Sequence, residues 1–297
     1  MRVTSNSFPN NLISQLQRVT GRVATLQNQA ATGQRITQPS DDPAAAVRVL
    51  NFQSERSRIA QYQRNGQRAQ DVVNATVAQV RNMISVSDRA GEITTLSSDL
   101  LGPAALKVYG TEVNQLIEQT LVGANAHFND EPLFGGTTAN AQAFTAVRDG
   151  NGNITSVAYN GSATTATYQI SDGSTLSPFT DPATNGQVRD FLNHLVSLRD
   201  ALQTGVAANV KAQATNLQGS EDNLINLLSG RGALQQRLET EAKQNNSRYA
   251  DLAVQVSRDA DADLAQTIVE LTQNQNAYQA ALMSAGKILD KSLLDYI

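Results

Sequence analysis

The residues of this chain that could do chemistry are few and scattered. Asp41 and Asp42 are adjacent carboxylates, and His127 and His194 are the two histidines of the 297-residue sequence. A carboxylate pair could serve acid–base chemistry or bind a hard cation, but a cation site usually needs several converging oxygen ligands. Because Asp42 precedes Pro43, in the order of an N-cap and a first helical position, we interpret the pair as a helix start. Neither histidine has a partner at the spacing of a zinc-binding helix, which predicts surface or boundary positions for both.

Composition and motifs argue against several other classes of protein. The sequence has no cysteine, which excludes disulfide frameworks, cysteine-ligated zinc, iron–sulfur clusters and thiol nucleophiles. It also lacks the nucleophile elbow, the P-loop and the dinucleotide-binding glycine motif, and Gly135–Gly136 is interpreted as a turn. We therefore expect no catalytic residue, no cofactor and no metal.

Charge and hydropathy narrow the choice of partners. The net charge is -4 without a long basic run, which argues against nucleic-acid binding. No apolar run approaches the roughly 20 residues of a membrane span, so no membrane insertion is expected. The N-terminus shows no apolar core of a cleaved secretory signal, so export would have to follow another route.

A regular apolar spacing near the N-terminus predicts a long amphipathic helix that ends at Gly33. The apolar residues alternate four and three positions apart, which is the seam of a coiled coil and needs a second helix to cover it. These residues are Leu12, Leu16, Val19, Val23 and Leu26.

The C-terminal segment repeats this spacing, with Gln275 and Ala285 also in register. Its apolar members are Leu264, Ile268, Leu271, Tyr278, Leu282 and Leu289. Residues 1–70 carry a net charge of +6 and residues 258–297 one of −3. Opposite charges favour a mixed pair, although each exposed ion pair contributes only about 0–1 kcal/mol. The two terminal helices are therefore predicted to pair.

The composition changes between His127 and Asn185, where Gly, Asn, Thr and Ser are dense. Turn signals at 149–153 and at Asn160-Gly161 flank short runs at 154–159 and 166–170, which predicts a small β-rich insertion. Helical periodicity occupies both sides of it.

The expected fold class is mainly α with a small β-rich insertion (α+β), in an elongated helical rod. An acidic stretch at 258–263 breaks the helical spacing and predicts a domain boundary opposite the loop 33–43. The predicted domains are a terminal coiled-coil assembly domain (1–35 with 260–297), a helical rod domain (36–128 with 186–259) and an outward β-rich insertion (129–185).

Several short motifs carry a family resemblance over residues 1–135 and 185–297. They are Met1-Arg-Val-Thr4, Ala31-Thr-Gly-Gln-Arg-Ile36, Pro39-Ser-Asp-Asp-Pro-Ala-Ala45, Asn129-Asp-Glu-Pro-Leu-Phe-Gly-Gly136 and Ser292-Leu-Leu-Asp-Tyr-Ile297. With these motifs the chain resembles the flagellin superfamily, and within it the hook-associated proteins of the hook–filament junction.

The resemblance implies a structural, non-enzymatic protein of the bacterial flagellum. Such a protein passes unfolded through the flagellar type III export channel and is extracellular. It assembles with itself in a ring between the first hook-associated junction protein and filament flagellin. By the same resemblance, an export chaperone would hold the C-terminal region, and residues 264–289 would be the segment that it binds.

Two alternatives stay open at this point. The chain could be a filament flagellin, or a cytosolic coiled-coil scaffold or enzyme of another kind. The terminal seams could likewise be an ordinary intramolecular helical hairpin or an assembly surface between copies, where helices become ordered on binding.

Overall fold

The structure is a computed structural model that describes residues 7–97, 101–138 and 142–294, without the side chains of 7–10 and 287–294. Seven helices carry most of the described chain. They are α1 (Ser7–Thr32), α2 (Pro43–Leu96), α3 (Pro103–Ala124), α4 (Pro182–Thr204), α5 (Ala207–Lys211), α6 (Ala214–Ala260) and α7 (Leu264–Leu294).

Helix boundaries follow local capping chemistry. The Asp42 carboxylate accepts a hydrogen bond from the Ala45 backbone N–H at 3.0 Å, which confirms the helix start expected there. Gly33 follows α1 with a φ of 70°, a left-handed conformation that glycine adopts without strain. Asp181 caps α4 by accepting from the Thr184 N–H at 2.8 Å, and Gly205, with a φ of 72°, ends that helix.

Six short strands form three separate antiparallel hairpins. The pairs are β1 (His127–Phe128) with β2 (Glu131–Pro132), β3 (Phe144–Arg148) with β4 (Ile154–Tyr159), and β5 (Tyr168–Ser171) with β6 (Ser174–Leu176). The loop between β3 and β4 lies at the turn signal 149–153. The predicted run 166–170 becomes a strand that begins two residues later.

Two asparagine side chains attach the β3–β4 hairpin to the helices. Asn125, directly after α3, donates to the Phe144 carbonyl at 2.8 Å and accepts from its N–H at 2.9 Å. Asn193 on α4 makes the same pair of bonds to Val157, at 3.0 and 2.9 Å. Each amide satisfies backbone groups at a strand edge that would otherwise stay unpaired.

The chain forms two compact units. The first, called the terminal unit, is Met1–Arg58 with Ser247–Ile297, and the second, called the central unit, is Ile59–Asn246. The main core of the central unit mixes helical and β residues, among them Leu106, Ile117, Phe144, Phe179 and Phe191. The expectation of a mainly α fold with a small β part is confirmed, and the three-part division of the chain stays a prediction.

Candidate assembly surface

The terminal helices α1 and α7 pack against each other within the terminal unit. The N-terminal seam lies on the covered side of α1. Leu12, Leu16, Val19 and Val23 are half-buried, and Leu26 is only 2% exposed. An ion pair also joins the two helices, with the Arg22 guanidinium 3.0 Å from the Glu270 carboxylate.

The covered side of α7 contains only part of the C-terminal seam. Leu271 and Tyr278 are half-buried, as are Asn274 and Ala281 on the same side, and Thr267 and Ala285 are buried. Thr267 and Ala285 are small, so the backbones of the two helices can approach more closely than leucine at every seam position would allow.

The remaining apolar seam residues of α7 face solvent. Leu264 is 47% exposed, Ile268 54% and Leu282 45%. Ile268 lies one turn after Leu264, and Leu282 lies five full turns after it, so the three side chains form one line beside the covered side. We call this line the open stripe. The side chain of Leu289 lies outside the described residues.

The chain passes between helices at a short joint within the terminal unit. Gln34 and Asp261 form an isolated antiparallel bridge. Next to it, the Arg35 N–H donates to the Ala260 carbonyl at 2.6 Å, and the Ala262 N–H donates to the Gly33 carbonyl at 2.8 Å. The loop after α1 therefore lies against the acidic stretch before α7, as the break in spacing predicted.

Asp259 is the centre of the polar contacts at this joint. Its carboxylate accepts two bonds from the Arg48 guanidinium, at 2.9 and 3.2 Å, and its carbonyl accepts a third from Arg35 at 2.7 Å. The bonds from Arg48 lower the pKa of the Asp259 carboxyl below its ordinary value and raise the pKa of the Arg48 guanidinium. Charge asymmetry indicated attraction between these regions of sequence but did not identify this pair.

Asp41 and Asp42 serve the backbone of the loop. Asp41 accepts bonds from the Gln38 and Thr37 N–H groups at 2.8 and 2.9 Å, and these bonds lower the pKa of its carboxyl. The hydrogen bond from the Ala45 N–H likewise lowers the pKa of the Asp42 carboxyl. Both carboxylates are thus occupied in fixing a turn and a helix start.

The histidines and the acidic residues show no metal-binding arrangement in the described part of the chain. His127 is exposed on β1, and the His194 ring nitrogen Nδ1 lies 2.7 Å from the Ser220 hydroxyl. Within residues 7–97, 101–138 and 142–294 no group of three or more His, Cys, Asp or Glu residues could hold a metal ion. Over the same residues no helix has the length and apolar character to cross a membrane.

Comparison with known proteins finds a flagellin region in the first half of the chain. Residues 3–139 match the bacterial flagellin N-terminal helical region, which confirms the resemblance that the motifs indicated. No curated protein sequence matches the chain at a significant level.

Solved structures share the fold over most of the chain. One assigned as a flagellar hook-associated protein of Vibrio parahaemolyticus has a TM-score of 0.65 at 17% identity, covering 74% of this chain and 100% of that one. FlgL of Bacillus cereus gives 0.61 at 20% identity, covering 70% and 99%. The flagellar junction protein FlgL of Legionella pneumophila gives 0.54 at 14%, covering 72% and 100%. At these identities the likeness concerns the fold.

Proposed function

We propose that this chain is a structural component of the bacterial flagellum that connects the hook to the filament. The match of residues 3–139 to a flagellin region and the fold shared with hook-associated proteins support this placement. The observation that carries an assembly role is the open stripe on α7. A structural role without catalysis is part of the proposal.

Covering the open stripe would favour association between copies. Fully burying a Leu or Ile side chain contributes about 1.5–3 kcal/mol relative to leaving it exposed, and Leu264, Ile268 and Leu282 are each about half exposed. A helix of a neighbouring copy would cover all three at once. Repetition of this contact around an axis would give a ring, with the first hook-associated junction protein on one side and filament flagellin on the other.

The open stripe also bears on export. A chain that travels unfolded through the flagellar export apparatus cannot carry a disulfide across the channel, and the absence of cysteine is compatible with that route. Before export, an α7 segment with an uncovered apolar stripe needs a partner to keep it from aggregating. We propose that a flagellar export chaperone binds residues 264–289 and that the assembled protein is extracellular.

Gene deletion tests the proposed function. In the native bacterium, cells without the gene should have hooks but no filaments and should release flagellin monomers into the medium. Expression of the wild-type chain from a plasmid should restore filaments. Normal filaments in the deletion strain would contradict the junction role.

Seeded polymerisation separates a junction protein from a filament flagellin. A filament flagellin should extend filament fragments without limit as monomer is added. A junction protein should add a layer of fixed length to hook ends and then stop. Electron microscopy of seeds incubated with the purified chain measures this difference, and growth of long filaments from this chain alone would favour flagellin.

A further inference from the structure

The outer side of α3 in the central unit is an uncharged ridge. Its exposed residues between positions 108 and 122 are Val108, Thr111, Gln115, Gln119 and Val122, and the two valines are 70% and 73% exposed. The acidic residues in this stretch are already paired. Glu112 binds Arg89, and Glu118 binds Arg148. We call the five exposed residues the α3 ridge.

The outer side of α6 has an uncharged face of small side chains that is about half as long as the α3 ridge. Its exposed residues are Asn226, Ser229, Gly230 and Ala233, and a Cβ added at Gly230 would meet no atom within 4 Å. Spacings of three and four residues place all four on one helix face. We call them the α6 groove.

Charges at the N-terminal ends of the two faces are complementary. Lys107 lies just before the α3 ridge, and Asp222 lies just before the α6 groove, and both are exposed. If the two helices run parallel with Lys107 opposite Asp222, Gln115 of the ridge lies opposite Gly230 of the groove. The long Gln115 side chain at the middle of the ridge then meets the groove residue that has no side chain.

We propose that the α3 ridge of one copy docks in the α6 groove of the next copy, with the two helices parallel and Lys107 beside Asp222. The inference rests on the proposed function, because it names the contact between central units of adjacent copies. The two faces belong to different helices, so the contact is heterologous, and heterologous contacts can close into a ring. The uncharged centres avoid burying unpaired charge, and the end charges set direction more than affinity.

Cysteine cross-linking tests this contact, because the natural chain contributes no thiol of its own. The variants are Gln115→Cys and Ser229→Cys, co-produced in the deletion strain and oxidised on intact flagella. A covalent dimer should form only when both are present, and a chain with both substitutions should give a ladder of oligomers. Asp88→Cys, on an exposed position of α2, replaces Gln115→Cys as the control and should give no dimer.

The outcomes separate the inference from the proposed function. Absence of the mixed dimer in flagella of normal motility would overturn the inference and leave the junction role standing, and so would a dimer from Gln115→Cys alone. If the wild-type chain does not restore filaments, the junction role fails. The mixed dimer is then sought with the purified chain at high concentration, where its absence would overturn the docking as well.

A charge exchange provides a second measurement that does not depend on thiols. Lys107→Glu should reduce the yield of the mixed dimer about fivefold, because an exposed ion pair is worth up to about 1 kcal/mol. Combining Lys107→Glu with Asp222→Lys should restore the yield. An equal reduction in the combined variant would overturn the parallel arrangement.

Discussion

At the residue scale, the joint of the terminal unit depends on ionised carboxylates. Asp259 accepts hydrogen bonds from the guanidinium groups of Arg48 and Arg35. Asp41 and Asp42 accept hydrogen bonds from backbone N–H groups. All three carboxyl groups have a lowered pKa, so each binds its proton less readily in the folded chain than in the unfolded one. Folding is therefore linked to their ionisation.

This linkage predicts acid opening of the joint. Groups with a lowered folded pKa stabilise the fold above the ordinary aspartate pKa of about 4, and that contribution is lost as the pH falls through the folded pKa. Amide hydrogen exchange at Thr37, Gln38 and Ala45, measured by NMR, should accelerate below about pH 4 relative to other amides. An Asp41→Asn variant should show faster exchange at Thr37 and Gln38 already at pH 7. Unchanged protection in both experiments would contradict this account.

The cap of α4 gives a second prediction at this scale. Asp181→Ala removes the acceptor of the Thr184 N–H and should lower the free energy of unfolding by about 1 kcal/mol. Asp181→Asn keeps a side-chain acceptor and serves as the control. Urea denaturation followed by circular dichroism measures both, and an equal loss in the two variants would show that capping is not the cause.

At the scale of elements, the two sides of α7 have different roles: the covered side stabilises the fold by packing on α1, and the open stripe is available for assembly. Leu26→Ala on α1 should cost about 2–5 kcal/mol of stability, because it leaves a cavity at a buried contact. Ile268→Asp on the open stripe should leave thermal unfolding almost unchanged and abolish incorporation into flagella. Unfolding followed by circular dichroism and electron microscopy of complemented cells measure the two effects. Normal filaments with Ile268→Asp would show that the open stripe is not an assembly surface.

A leucine of the covered side is less suitable for this test. Leu16→Asp and Leu271→Asp should also abolish assembly, but both positions are half-buried where α1 and α7 pack. A charge there would disrupt the pair itself. Loss of motility would then report on folding as much as on assembly.

Apolar spacing identified the covered side of α1, but on α7 it identified only part of the covered side. On α1 a single apolar line exists, and it is the covered one. On α7 two lines overlap at Leu271, Tyr278 and Ala285, and the covered one includes Thr267 and Ala281 in place of Ile268 and Leu282. Hydrophobicity ranks the second pair higher, but close approach of two helices depends on side-chain size. Which line a partner covers is thus a property of the packed pair, not of the α7 sequence.

In the β-rich insertion, too, local sequence predicts the turns but not the long-range contacts. Its turns at 149–153 follow from Asp, Asn and Gly chemistry that sequence reveals directly. The bonds from Asn125 and Asn193 to strand edges join residues 19 and 36 positions apart. No local pattern marks an asparagine for such a contact.

At the scale of the whole molecule, the hairpins share a core with the helices of the central unit. Phe144 and Ile154 are fully buried in the same cluster as Leu106 and Phe191. Arg199 of α4, itself 3% exposed, donates to the Ile154 carbonyl at 2.6 Å. Removing the hairpins would therefore expose the apolar side chains that pack against them. It would also leave the buried Arg199 guanidinium without the Ile154 carbonyl as its acceptor.

Excision of the β3–β4 and β5–β6 hairpins therefore tests how independent the insertion is. A chain in which a short Gly-Ser linker replaces residues 143–179 should unfold at a clearly lower urea concentration, because removal uncovers the apolar core around Phe191. A matched chain in which the linker replaces only the turn 150–152 should keep its unfolding midpoint. If the insertion were a separate domain bounded at 129 and 185, both chains would unfold like the wild type. Urea denaturation monitored by circular dichroism decides between these outcomes, since the remaining signal is almost entirely helical.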